Sequence, residues 1–271
     1  MKKLSLILAI FATIFLGGCA STTQGGAVGV NRTQLLTVSE AELDKAAASS
    51  YTQVISQAKS QKKLNTNAKQ TQRVKTVSNR LINQVGVFRP DARNWNWQVN
   101  VIEDPTVNAW CMPGGRIAVY TGIINKLSLT DGELAAVVGH EIAHALREHS
   151  RERASTESIK NLGISIGAQA AGLGDLGATG LAILGQYGFS LPFSRSHETE
   201  ADIMGLELMA RAGYNPNEAP NVWRKMAKLE SGSKTPEFFS THPGDETRIK
   251  NLEKTIPVVM PLYEQAKKGK K

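Results

Sequence analysis

Apolar positions recur along this chain at two periods. Val74, Val77, Leu81 and Val85 fall three or four residues apart between Thr66 and Val85, the spacing of one helical face. Trp95, Trp97, Val99 and Val101 alternate with Asn96, Gln98 and Asn100, the period of a half-buried strand. Ser39-x-x-Glu42 and Thr130-x-x-Glu133 have the form of capping boxes, in which each end of the motif satisfies a free backbone N–H. The first predicts a helix running to about Gln61. The second predicts a helix running to about Glu152, with Leu134, Val138, Ile142 and Ala145 on one apolar stripe. Phe88-Arg89-Pro90-Asp91 breaks the chain after the second helix. Pro113-Gly114-Gly115 predicts a turn between an extended segment beginning near Asn108 and a strand ending near Tyr120. Thr121 to Leu127 reads as a short helix. Ser196 to about Ala212 reads as a longer one, ended by Gly213 with Pro216 beyond it. From Asn217 the pattern predicts one or two helices around the loop Ser240 to Asp245. No internal repeat is present. The fold class is α+β, mainly α-helical.

Two stretches depart from these periods. Residues 159–191 are rich in Gly, Ala, Leu and Ile, and Gly172 to Gly177 splits them into halves too short to span a bilayer. They are expected to form a pair of buried helices closing the core. At the start, Lys2 and Lys3 precede an apolar run from Leu4 to Leu16, followed by Gly17, Gly18 and Cys19. This is the form of a signal peptide, too short for a permanent transmembrane helix. Small residues before a cysteine also match a lipobox, so residues 1–18 are expected to be removed and Cys19 to carry lipid. Residues 19–33, rich in Ser, Thr, Gly and Gln, are expected to be a flexible tether. Residues 34–271 are then one domain, a length sufficient for a sizeable core. Cys111 is the other cysteine, so no disulfide can form within the processed chain. Ala20 rather than aspartate after Cys19 resembles Gram-negative lipoproteins sorted to the outer membrane.

Charge adds little to this picture. The formal net charge is +8, and six lysines at the two ends supply most of it. Basic residues are not interleaved with aromatic ones, which gives no support for nucleic-acid binding.

The chemistry sits in Gly139-His140-Glu141-Ile142-Ala143-His144. Histidines four apart on a helix lie about 40° apart around its axis, so both imidazoles reach one metal ion. Glu141 follows the first histidine and is placed to take a proton from an activated water. A catalytic zinc site needs a third protein ligand. His149 would lie about 140° from His144 around the same helix, which makes it a structural contact rather than a ligand. Glu198 and Asp202 share a helical face, with Glu200 pointing elsewhere. One carboxylate can bind metal while the other accepts the free N–H of a ligating imidazole.

Four motifs in order carry a family resemblance: Asn108-Ala109 with Pro113-Gly114-Gly115; His140 to His144; Ser194-Arg195 with Glu198-x-x-x-Asp202; and His242-Pro243 with Arg248. From about Thr66 onward the chain resembles the HtpX-type zinc metalloproteases, the family that also holds the CaaX prenyl proteases and periplasmic assembly-factor proteases. The lipobox points to its periplasmic and outer-membrane lipoprotein branch. The resemblance implies a zincin fold of the thermolysin-like gluzincin type, with the edge strand of a small sheet beside the H-E-x-x-H helix. It implies one Zn2+ held by His140, His144 and Glu198, with Glu141 as general base and Asp202 as orienting partner or proton donor. His242 is implied near the metal, where it stabilises the oxyanion, plugs the open position or shapes its loop. Asn108, Ala109, Trp110 and Cys111 are implied to bind substrate as the edge strand, although Cys111 departs from the small apolar residue usual there. The implied function is a zinc endopeptidase of the bacterial envelope. It would act on misfolded or assembling outer-membrane and periplasmic proteins, in contact with assembly machinery and lipid-anchored facing the periplasm. The alternative is a zinc-bound chaperone or assembly factor with secondary proteolysis.

Overall fold

A computed structural model describes residues 19–170, 192–230, 237–244 and 246–269. The expected signal peptide and most of the glycine-rich pair of helices lie outside the described residues. Helix α1 spans Glu40–Ser60 and α2 spans Ala68–Ile82, capped by Ser39 and Asn67. Val74, Val77 and Leu81 of α2 are buried, as their spacing predicts. Three strands follow: β3 (Gln98–Ile102), β4 (Ala109–Met112) and β5 (Arg116–Tyr120), after a short N-terminal pair β1 (Cys19–Ala20) and β2 (Gln34–Leu35). The order in the larger sheet is β3-β5-β4, with β3 parallel and β4 antiparallel to β5. The Pro113–Gly115 turn joins β4 to β5, with Gly114 and Gly115 both at positive φ. Strand β4 is therefore an edge.

Helix α3 (Thr121–Lys126) leads to α4 (Asp131–Leu146), which opens with a complete capping box. Glu133 donates its N–H to Thr130 Oγ1 at 3.1 Å, and Glu133 Oε2 accepts from the Thr130 N–H at 2.9 Å. Leu134, Val138, Ile142 and Leu146 are fully buried in the main core.

The expected continuation of α4 to Glu152 is not what the structure shows. The helix stops at Leu146, Glu148 takes a left-handed conformation (φ 51°), and α5 begins at His149 and runs to Ala170. A left-handed residue other than glycine costs about 1–2 kcal/mol. Buried partners outweigh that cost here. The Glu148 carboxylate accepts from Arg89 at 2.5 Å and from Arg151 at 2.7 Å. The fully buried Arg147 donates to Thr23, Arg32 O and Glu200.

Helix α6 (Arg195–Arg211) crosses α4 closely. Gly139 and Gly205 meet at the crossing: a Cβ at 205 would stand 2.7 Å from the His140 backbone nitrogen. The missing side chains let the two helices that carry the candidate ligands touch backbone to backbone. Helices α7 (Ala219–Glu230), α8 (Glu237–Thr241) and α9 (Glu246–Lys268) complete the described fold, α9 packing on α6. The C-terminal region thus holds more helices than its pattern suggested, because α8 is a single short turn. Among the described residues no helix is long and apolar enough to cross a membrane.

Residues 19–33 are not a free tether in this structure. Strands β1 and β2 pair antiparallel, and Val30 is buried. The Ala27 and Val28 N–H groups donate to the fully buried Glu207 carboxylate, and Gln24 N–H donates to Phe88 O. Composition alone predicts flexibility for such a segment, but the Gln24, Ala27 and Val28 donors are taken up by the domain.

Candidate metal centre

The side chains of His140, His144, Glu198 and His242 converge from three elements. The first two stand one turn apart on α4. Glu198 lies in the first turn of α6, where the Ser194 hydroxyl caps the helix. His242 follows α8, its N–H bonded to Phe238 O. All four are buried, and one donor atom from each lies within 4.8 Å of the others. His140 Nε2 is 3.1 Å from His144 Nε2 and 3.3 Å from His242 Nδ1. Glu198 Oε1 is 3.1 Å from His242 Nδ1 and 3.4 Å from His144 Nε2. Ligands at about 2.0–2.1 Å from a tetrahedral zinc stand about 3.3 Å apart, so this donor set fits the ion in both chemistry and spacing.

A second layer holds these groups. The outer nitrogen of His140, Nδ1, is 3.0 Å from Asp202 Oδ1. Arg248, buried on α9, donates to both Asp202 oxygens at 2.7 Å, lies 2.6 Å from Glu198 Oε2 and packs over the Trp223 ring. The outer nitrogen of His144 meets His149 Nδ1 at 2.9 Å, and His149 Nε2 meets Glu200 Oε2 at 3.0 Å. His149 is thus a contact, but the break at Glu148 turns it back toward His144 rather than away from it.

The electrostatics ask for a cation. Burial disfavours the Glu198 carboxylate, yet His242, His140 and His144 hold its pKa well below the usual range. Burial pulls His140 down, but its hydrogen bonds to the Asp202 and Glu198 carboxylates prevail and raise it to about 9. His144 is pushed well below its ordinary value by burial. Arg248 balances one of the two buried carboxylates, Asp202 and Glu198, and a proton on His140 or a metal ion balances the other. Glu141 stands beside the cluster, 3.5 Å from His242 Nε2, and its Oε1 has no hydrogen-bond partner among the described residues. Burial raises its pKa.

A family model described as Peptidase family M48 matches residues 68–256. The chain belongs to peptidase family M48. It is 41% identical over 163 residues to the mitochondrial metalloendopeptidase OMA1 of Schizosaccharomyces pombe, covering 59% of this chain and 47% of that protein. It is 27% identical over 256 residues to the metalloprotease LoiP of Escherichia coli, covering 93% and 96%. It is 32% identical over 160 residues to a putative beta-barrel assembly-enhancing protease of Vibrio cholerae, covering 55% and 32%. The chain spans about half or less of the OMA1 proteins it matches.

In this M48 chain a cleft of about 280 Å³ opens beside the cluster. Asn108, Ala109, Trp110 and Cys111 line one wall with Met112, and Glu141, His144 and His242 form its floor. Among the described residues the outer side of β4 has no neighbouring strand. Burial pushes the Cys111 thiol well above its ordinary pKa, and its sulfur does not belong to the convergent donor set. Phe193 and Arg153 are among the cleft residues that carry no signal in the sequence. The Phe193 ring stacks on His144 with centroids 4.0 Å apart, and Arg153 sits over that ring. Phe193 lies in a loop outside any periodic pattern, so only the proximity of Ser194-Arg195 could have marked it.

Proposed function

We propose that this M48 chain is a zinc-dependent endopeptidase of the bacterial envelope, acting on misfolded or assembling outer-membrane and periplasmic proteins. The observation that carries the reading is the buried set His140, His144, Glu198 and His242 with the Glu141 carboxylate beside it and an open strand edge along the adjoining cleft. The first three hold the metal during turnover. Zinc bound there supplies Lewis acidity and lowers the pKa of water. The substrate backbone adds to β4 as a further strand, which presents its scissile carbonyl to the cleft. Glu141 takes the proton of the attacking water, and its burial helps it retain that proton until it passes to the leaving amine. Asp202 acts on His140 rather than on substrate, because its oxygens are engaged by His140 Nδ1 and Arg248.

His242 completes the donor set at rest and withdraws for catalysis. This favours a latent enzyme, and it keeps open a second reading in which chaperoning or assembly is primary and proteolysis secondary. The beta-barrel assembly-enhancing relative supports barrel proteins as clients. Removal of residues 1–18 and lipidation of Cys19 place the chain on the outer membrane facing the periplasm. The test is Glu141→Gln. It is expected to keep stoichiometric zinc while losing casein digestion, and full digestion by that variant would refute the assignment. Rescue of a deletion strain by Glu141→Gln would select the second reading.

A further inference from the structure

We propose that His149 and Glu200 are positioning residues for the metal ligand His144, and that Arg32 in the N-terminal segment completes their chain. The inference rests on the metal-site reading above.

Directionality follows from hydrogen-bond donors and acceptors. His144 presents Nε2 to the cluster, 3.1 Å from His140 Nε2, so that nitrogen must offer a lone pair to a metal. A neutral imidazole then carries its proton on Nδ1. Nδ1 lies 2.9 Å from His149 Nδ1, which accepts that proton's hydrogen bond. His149 must in turn carry its own proton on Nε2, and this donates to Glu200 Oε2 at 3.0 Å. The carboxylate of Glu200 also accepts from Arg147 Nε at 3.1 Å and from Arg32 Nε at 2.7 Å. Every donor in the chain has one acceptor, and a single arrangement of protons satisfies all of it.

The chain reaches well beyond the site. His149 is fully buried, stacked at 4.4 Å on His197, and exists at this position only because α4 ends at Leu146. Arg32 also forms two hydrogen bonds to Glu152, at 2.6 and 2.9 Å, and so fastens residues 19–33 to both α5 and α6. His140 is oriented by a carboxylate directly, through Asp202. His144 is oriented by a carboxylate at one remove, through a second imidazole. Outer partners of this kind fix a ligand's tautomer and raise its basicity, and losing one weakens metal binding by about 10–100-fold.

The test is zinc affinity of the full chain, measured by competition with a chromophoric chelator and paired with the absorption spectrum of the Co2+-loaded protein. His149→Ala and Glu200→Gln are expected to weaken zinc binding about 10–100-fold and to shift the cobalt bands. Arg32→Gln is expected to weaken it less, in the same direction. His149→Gln is expected to recover most of the affinity, since its amide oxygen can accept from His144 and its amide nitrogen can donate to Glu200. A role confined to packing of α5 would lower the melting temperature of the metal-free protein and leave affinity and cobalt spectrum unchanged. That result in folded variants overturns the proposal. Should His149→Ala fail to fold, wild-type affinity in Glu200→Gln and Arg32→Gln would overturn it equally. Absence of zinc binding by the wild-type chain would overturn the metal-site reading itself.

Discussion

Replacing Arg248 with Met removes the guanidinium that bridges Asp202 and Glu198. Arg248 is buried, donates twice to Asp202 at 2.7 Å and stands 2.6 Å from Glu198 Oε2. Methionine fills much of the same volume but leaves two buried carboxylates facing each other across His140. Breaking a buried pair by removing one partner costs about 3–5 kcal/mol. Loss of the guanidinium over the Trp223 ring, 3.6 Å from its centroid, removes about 1–2 kcal/mol more. Against a total stability of about 5–15 kcal/mol, this is a large fraction. The melting temperature of the metal-free protein should fall by roughly 8–28 °C, at about 2–4 °C per kcal/mol for a domain of this size. Asp202 gives the effect a sign with pH. Burial opposes its ionisation, but Arg248 holds its pKa below the ordinary carboxylate value. Its contribution in the wild type is therefore present above that ordinary value and is lost only as pH falls through the lower folded value. In Arg248→Met the contribution should be lost at a higher pH than in the wild type. Urea titrations at pH 7 and pH 5, with and without zinc, measure both effects. Zinc should shrink the defect by compensating Glu198. The double variant Arg248→Met/Asp202→Asn should recover part of the loss, since the uncompensated charge is gone. A defect below about 1 kcal/mol in the metal-free protein would refute the ion-pair reasoning.

Three further outcomes test other parts of the site. Gly205→Ala must separate α4 from α6, because its Cβ would meet the His140 nitrogen at 2.7 Å; about 1–3 kcal/mol of stability should be lost, together with zinc affinity, as read by thermal melting and chelator competition. His242→Ala should retain zinc on the remaining three donors and digest casein faster than wild type, whereas slower digestion with zinc retained would assign His242 to turnover rather than to closure. The raised His140 pKa, about 9 in the metal-free protein, means that its contribution to folding is complete below the unfolded value near 6.5 and disappears as pH rises through 9; the urea midpoint of metal-free protein should fall across that window, and zinc binding should release a proton within it.

Much of the site was legible because it is written in local periods. The i, i+4 spacing of His140 and His144, the matching spacing of Glu198 and Asp202, and the alternation that ends in the sheet all depend on positions within one element. The features that were not legible are tertiary. Nothing in Ala145-Leu146-Arg147-Glu148-His149 signals a helix break, since the left-handed turn at Glu148 is held by Arg89 and Arg151 and the preceding Arg147 by Thr23, Arg32 and Glu200. The polar segment 19–33 looks unstructured by composition because its partners, Glu207 and Phe88 O, are remote in sequence. Phe193 has no period to betray it. Arg248 stood within a recognisable motif, but its bond to Asp202 joins two helices 46 residues apart.

The folded state of residues 19–33 has a geometric consequence for the proposed lipid attachment at Cys19. A stretched segment of that length would reach about 50 Å and let the enzyme roam over a broad shell of periplasm. With β1 paired to β2 and Arg32 clasped by Glu152 and Glu200, that leash is wound onto the body it holds. Were Cys19 lipidated as proposed, the cleft would stand at one fixed height and tilt above the lipid. In that arrangement, reach rather than residue preference would set which unfolded stretches meet the cleft first.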